Sequence, residues 1–145
     1  MIREARYPAT KDHGRVLIVD DEASIRKTLR ICLSQAGYHV IEAGDGQEAI
    51  TVLDSGDNAL MVDAIICDIR MPRIDGTDAI RHFRAQYPSI PIIVLTGFPD
   101  IELAIAMMKV GVKDYLLKPV MKENLLSILK SAVDGHVLFK DKFVA

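Results

Sequence analysis

Cysteine is scarce in this chain: among 145 residues only Cys32 and Cys67 occur. They stand far apart, each inside an apolar segment, so they offer neither a disulfide framework nor a zinc site and read as small buried hydrophobes. His13, His39, His82 and His136 are scattered, and none has a second ligand at zinc spacing. No apolar run approaches the roughly 20 residues that cross a bilayer. The opening MIREARYPATKDHG has no apolar stretch suited to a secretion signal. The chain therefore reads as cytoplasmic, without membrane contact. An excess of one charge is missing too. With 18 basic and 20 acidic residues the formal net charge is −2, which argues against direct binding to nucleic acid. No glycine-rich dinucleotide or P-loop signature follows the first apolar run, so a nucleotide-binding enzyme lacks its phosphate cradle.

What is present is a rhythm. Five short apolar runs rich in β-branched residues begin at Val16, Tyr38, Ala64, Ile92 and Tyr115, and each precedes a stretch of helical periodicity. Ile25, Leu29, Cys32, Leu33 and Ala36 lie on one helix face, with Gly37 as the stop. Leu125, Leu126, Ile128, Leu129, Ala132 and Val133 mark the last helix, which Gly135 is expected to end. Strand–helix alternation with short connections predicts an α/β fold, a doubly wound five-stranded parallel sheet in the order 2-1-3-4-5. The runs 16–19, 64–67 and 92–95 lack apolar–polar alternation, as expected of strands covered on both sides. Residues 1–13 read as a flexible lead-in and 14–135 as one folded domain. Residues 136–145 read as a C-terminal tail, either a helix extension or a linker stub.

Ligands of open parallel sheets bind at the carboxyl ends of strands, where the strand order reverses. The residues expected there are Asp20 and Asp21 after strand one, Asp68 after strand three, Thr96 after strand four and Lys118 after strand five. Each has a bland reading: Asp21 or Thr96 as a helix cap, Asp68 closing a turn, Lys118 as a solvated lysine. Together they form a pattern. Unit charges 4 Å apart repel by roughly 4 kcal/mol at an effective dielectric near 20, so clustered carboxylates call for a cation. An all-oxygen set favours magnesium, with manganese as the substitute. Such an ion would draw in a phosphoryl donor, and a carboxylate can act as the nucleophile that becomes an aspartyl phosphate.

The strings VLIVDDEASIR, AGDGQEAI, DIRMPRIDG, IIVLTG and VGVKDYLLKP, in this order and spacing, resemble the receiver domain of bacterial response regulators over residues 14–134. The resemblance implies a flavodoxin-like (βα)5 fold. It also implies that Asp20 and Asp21 hold the metal with Asp68 and the backbone carbonyl of Arg70, and that Asp68 is the phosphoacceptor. Thr96 and Lys118 would serve the transfer, Thr96 and Tyr115 the switch that follows, and Lys118-Pro119 a cis bond. The donor would be a sensor histidine kinase or a histidine phosphotransfer protein. The chain would not be a conventional enzyme, since it catalyses only its own phosphorylation and dephosphorylation. Arg70 and Phe98 stand where related receivers tune phosphoryl lifetime.

In the helix after strand four, Ile101, Ala104, Ile105 and Met108 are expected to pack on the sheet. Leu103, Met107 and Val110 form a second stripe, read either as packing against the preceding helix or as a surface for a homodimer or a downstream protein. The competing reading of the whole chain is a receiver-like docking module that works without phosphorylation.

Overall fold

The computed structural model describes residues 13–69 and 76–143. Its strands are β1 (Arg15–Val19), β2 (His39–Ala43), β3 (Val62–Cys67), β4 (Ile92–Thr96) and β5 (Asp114–Leu117). Its helices are α1 (Ala23–Gln35), α2 (Gly46–Asp54), α3 (Asn58–Met61), α4 (Gly76–Gln86), α5 (Ile101–Val110) and α6 (Lys122–Phe143). The sheet is parallel throughout in the order β2-β1-β3-β4-β5, the predicted 2-1-3-4-5. Among the described residues, only the four-residue α3 interrupts the simple alternation of strand and helix.

The central strands divide two cores between them. Along β1, Leu17 and Val19 face one apolar cluster with Leu53, Ile65, Phe83 and Met107, while Val16 and Ile18 face another with Leu33, Ile66, Leu129 and Val133. Side chains alternate across a strand, so a strand covered on both faces is apolar at successive positions unless a buried polar group has a partner, as Asp63 of β3 has in His136. That is why β1, β3 and β4 show no polar alternation. Each fully buried Leu or Ile contributes about 2 kcal/mol of transfer free energy.

Turn chemistry sets the boundaries. Gly37 takes φ +98° after α1, as its role of stop requires. Asp45 caps α2 by accepting from the Glu48 N–H at 2.8 Å, and Glu48 returns a bond to the Gly44 N–H at 2.6 Å. Asp100, not Thr96, caps α5, accepting from the Leu103 N–H at 2.9 Å.

Two expectations fail. Gly135 does not end the last helix, which continues to Phe143. Leu125, Leu129, Ala132, Val133 and His136 form one unbroken buried stripe, and that packing outweighs the modest helical cost of one glycine. Residues 136–143 are thus an extension of α6.

The two faces of α5 are also reversed. Met107 is fully buried, and Leu103 and Val110 pack against the core beside it, so these three do not form a free docking stripe. Ile101, Ile105 and Met108 are exposed instead, at 79%, 51% and 49%. The helix is held in this phase from the α4 side, where the Arg84 Nε–H donates to the Val110 carbonyl at 3.3 Å.

Candidate functional site

At the carboxyl edge of the sheet β1 runs out into Asp20, β3 into Asp68, β4 ends in Thr96, and β5 leads into Lys118. The parallel register makes this convergence unavoidable: Val19 pairs with Cys67, and Thr96 with Leu117. Asp20, Asp68 and Thr96 are buried, while Asp21 is exposed. The three carboxylates of Asp20, Asp21 and Asp68 each place an oxygen within 4.8 Å of the others.

Asp20 is fixed at four points. Its N–H donates to the Ala43 carbonyl at 3.1 Å, and its carbonyl accepts from the Arg26 guanidinium at 2.7 Å. One carboxylate oxygen accepts from the Glu22 N–H at 2.9 Å, and the other from Lys118 Nζ at 2.7 Å. Lys118 also reaches Asp68 Oδ2 at 3.2 Å, and its N–H donates to the Thr96 carbonyl at 2.8 Å. Its side chain is only 19% exposed, so it is no solvated surface lysine. Burial by itself pulls the Lys118 pKa down, but the hydrogen bond and charge of Asp20, followed by those of Asp68, carry it above the ordinary lysine value.

Thr96 is fully buried, and its hydroxyl accepts from the Phe98 N–H at 3.3 Å. Tyr115 packs against the core from β5, opposite Val94, with its hydroxyl buried. Phe98 is half-exposed. The Lys118-Pro119 bond is cis, as the resemblance implied. Arg70 lies outside the described residues.

Three carboxylates and one ammonium leave two formal negative charges, an all-oxygen donor set that fits a hard divalent cation such as magnesium. Asp20, Asp21 and Asp68 would hold it.

Sequence reasoning passed over two neighbours that shape the site. A Cβ on Gly76 would fall 2.2 Å from the Asp68 carbonyl oxygen and 2.5 Å from Ile69 Cα, so only glycine lets α4 start against this backbone. Its signal was the Asp75-Gly76 pair that closes DIRMPRIDG. Arg26 is an ordinary helix residue in sequence, and only the fold brings its guanidinium to Asp20.

The sequence model of the response regulator receiver domain matches residues 16–130. The chain belongs to this family.

As a receiver domain it is part of two-component signalling, and response regulators are signalling proteins. It is 32% identical over 120 residues to the transcriptional regulatory protein FixJ of Bradyrhizobium diazoefficiens, covering 83% of this chain and 57% of FixJ. It is 38% identical over 117 residues to the response regulator MprA of Mycolicibacterium vanbaalenii, covering 81% and 49%. The chain thus spans about half the length of these relatives. Among solved structures, a receiver domain protein from Clostridium thermocellum superposes with TM-score 0.81 at 30% identity, covering 87% of this chain and 98% of that one. The chemotaxis response regulator CheY4 of Vibrio cholerae gives TM-score 0.73 at 35% identity, covering 82% and 98%. No described helix of this receiver is long and apolar enough to cross a membrane.

Proposed function

We propose that this receiver accepts a phosphoryl group on Asp68 and relays the change through Thr96 and Tyr115 to the surface formed by α5, β5 and α6. The supporting observation is Lys118, which bridges Asp20 and Asp68 at 2.7 and 3.2 Å beside a cluster of three carboxylates. The donor is the phosphorylated histidine of a sensor kinase or of a histidine phosphotransfer protein. A carboxylate oxygen of Asp68 attacks phosphorus in line as the histidine N–P bond breaks, and the imidazole leaves with the electron pair and takes up a proton. Magnesium, when bound, would supply neutralisation of the charge that gathers during the transfer.

The chain's own groups do the rest. Asp20 and Asp21 would hold the ion together with Asp68, and the backbone carbonyl of Arg70 is proposed as a further oxygen. Lys118 keeps Asp68 oriented and then balances the added charge as a point cation. The new group carries about −1.5 to −2 charges, so the Thr96 hydroxyl turns to donate to it and gives up the long bond from Phe98. Tyr115 then secures the inward position beside Val94.

The exposed large apolar side chains of α5 and β5 are Ile101, Ile105, Met108 and Leu117, and this face is proposed to meet the downstream protein or a second receiver. With a formal net charge of −2, the unit is proposed to signal in the cytoplasm through protein contacts and not by touching nucleic acid.

Intact-mass analysis after incubation with a small acyl phosphate tests the reading. A gain of one phosphoryl group is expected, dependent on Mg2+ and absent in Asp68→Asn. A folded wild-type chain that gains nothing would favour the docking module that works without phosphorylation.

A further inference from the structure

Asp21 is the one exposed carboxylate of the acidic cluster, and among the described residues it accepts no hydrogen bond. Its placement depends on its main chain. The peptide that leads into it belongs to Asp20, and the carbonyl of that peptide accepts from a terminal NH2 group of Arg26 at 2.7 Å. Arg26 is not free to wander. Its Nε–H donates to Glu42 Oε1 at 3.3 Å, and the second Glu42 oxygen accepts from Arg30 at 2.6 Å. Arg26 and Glu42 are only 22% and 25% exposed. Glu42 itself sits on β2, one residue before Ala43, whose carbonyl accepts the Asp20 N–H. A planar guanidinium thus spans from a strand carboxylate to the peptide carbonyl at the head of the acidic loop. A lysine could not make both contacts in one rigid plane.

We infer that Arg26, braced by Glu42, is a positioning residue for the cation site: it sets the direction of the Asp20–Asp21 peptide and so the affinity for Mg2+. This rests on the proposed cation site. Arg26 bonds to Glu42 and to the Asp20 carbonyl, not to a carboxylate of the acidic cluster. Its effect passes through the carbonyl of Asp20, much as hydrogen bonds behind a metal ligand tune the ligand.

The sign of one measurement separates positioning from simple charge. Arg26 is a cation beside three carboxylates, so deleting its charge would by Coulomb's law tighten Mg2+ binding. Losing the positioning would loosen it. Isothermal titration calorimetry with MgCl2 on the whole chain compares the wild type with Arg26→Gln and Arg26→Lys. Arg26→Gln is expected to bind Mg2+ roughly 10-fold more weakly, with a circular dichroism spectrum like the wild type. Arg26→Lys keeps the charge but loses the fork, and is expected to fall between the two. Should the glutamine variant misfold, weakening in the lysine variant carries the same conclusion. Equal or tighter binding by a folded Arg26→Gln overturns the inference. A wild-type chain that binds no Mg2+ would instead overturn the cation reading beneath it.

Discussion

His136 on α6 and Asp63 on β3 form a hydrogen-bonded pair, Nδ1 to Oδ1, at 2.9 Å, with side chains 3% and 6% exposed. The other Asp63 oxygen accepts from the Arg15 N–H at 3.2 Å. The contact joins residues 73 apart in sequence and lies on the stretch of α6 beyond the 16–130 family match. Replacing His136 by Leu leaves a buried carboxylate short of a donor, and a loss of about 2–3 kcal/mol is expected. The midpoint of urea unfolding measures it. The double variant Asp63→Asn, His136→Gln should recover part of the loss, since neutral amides can satisfy each other.

Glycines at two helix positions should respond in opposite directions. A Cβ at Gly76 would have to displace the Asp68 backbone, so Gly76→Ala is expected to cost about 1–3 kcal/mol and to weaken phosphoryl uptake. A Cβ at Gly135 meets nothing within 4 Å, inside a continuous helix. Gly135→Ala should therefore raise stability by about 0.5–1 kcal/mol, read as a higher thermal midpoint.

Lys118 is expected to make the stability depend on pH and, on the proposed cation site, on metal. Its folded pKa lies above the ordinary value of 10.5. The stabilisation from its pairing is therefore fully present below that value and fades as pH rises through the folded one. In Lys118→Met the alkaline fall in stability should be shallower. At neutral pH the same variant leaves three carboxylates without their ammonium. Mg2+ is then expected to raise its unfolding midpoint by more than it raises that of the wild type. Equal increments would count against the charge balance described for the site.

On α5 the exposed and buried stripes make separable predictions. Ile105→Glu and Met108→Glu should change stability by no more than about 0.5 kcal/mol, while weakening contact with a second receiver or a downstream protein in sedimentation or pull-down. Met107→Glu places a charge in a fully buried position and should cost about 4 kcal/mol or more.

The sheet order and the gathering of Asp20, Asp21, Asp68, Thr96 and Lys118 were legible because both follow from strand ends in a parallel sheet, where sequence position fixes spatial position. The phase of α5 was not. Its sequence is apolar on two stripes, and an Arg84 bond from α4 holds the helix with Met107 inward. The continuation through Gly135 was hidden for a similar reason, since a glycine after an apolar stripe signals a stop until a distant Asp63 supplies a partner for His136. Gly76 and Arg26 both meet backbone carbonyls, and beyond the Asp75-Gly76 pair such contacts leave little pattern in the sequence.

The four bonds on Asp20 divide the labour at the sheet edge. With its N–H, its carbonyl and both carboxylate oxygens engaged, Asp20 has little freedom to yield when charge arrives beside it. Across the cleft the Thr96 hydroxyl takes a 3.3 Å bond from the Phe98 N–H, and a Cβ at Gly97 would meet open space. On the proposed switch the β1 side would be the anvil and the β4 side the moving jaw, so a phosphoryl group on Asp68 is expected to act toward β5 and α5 rather than toward α1.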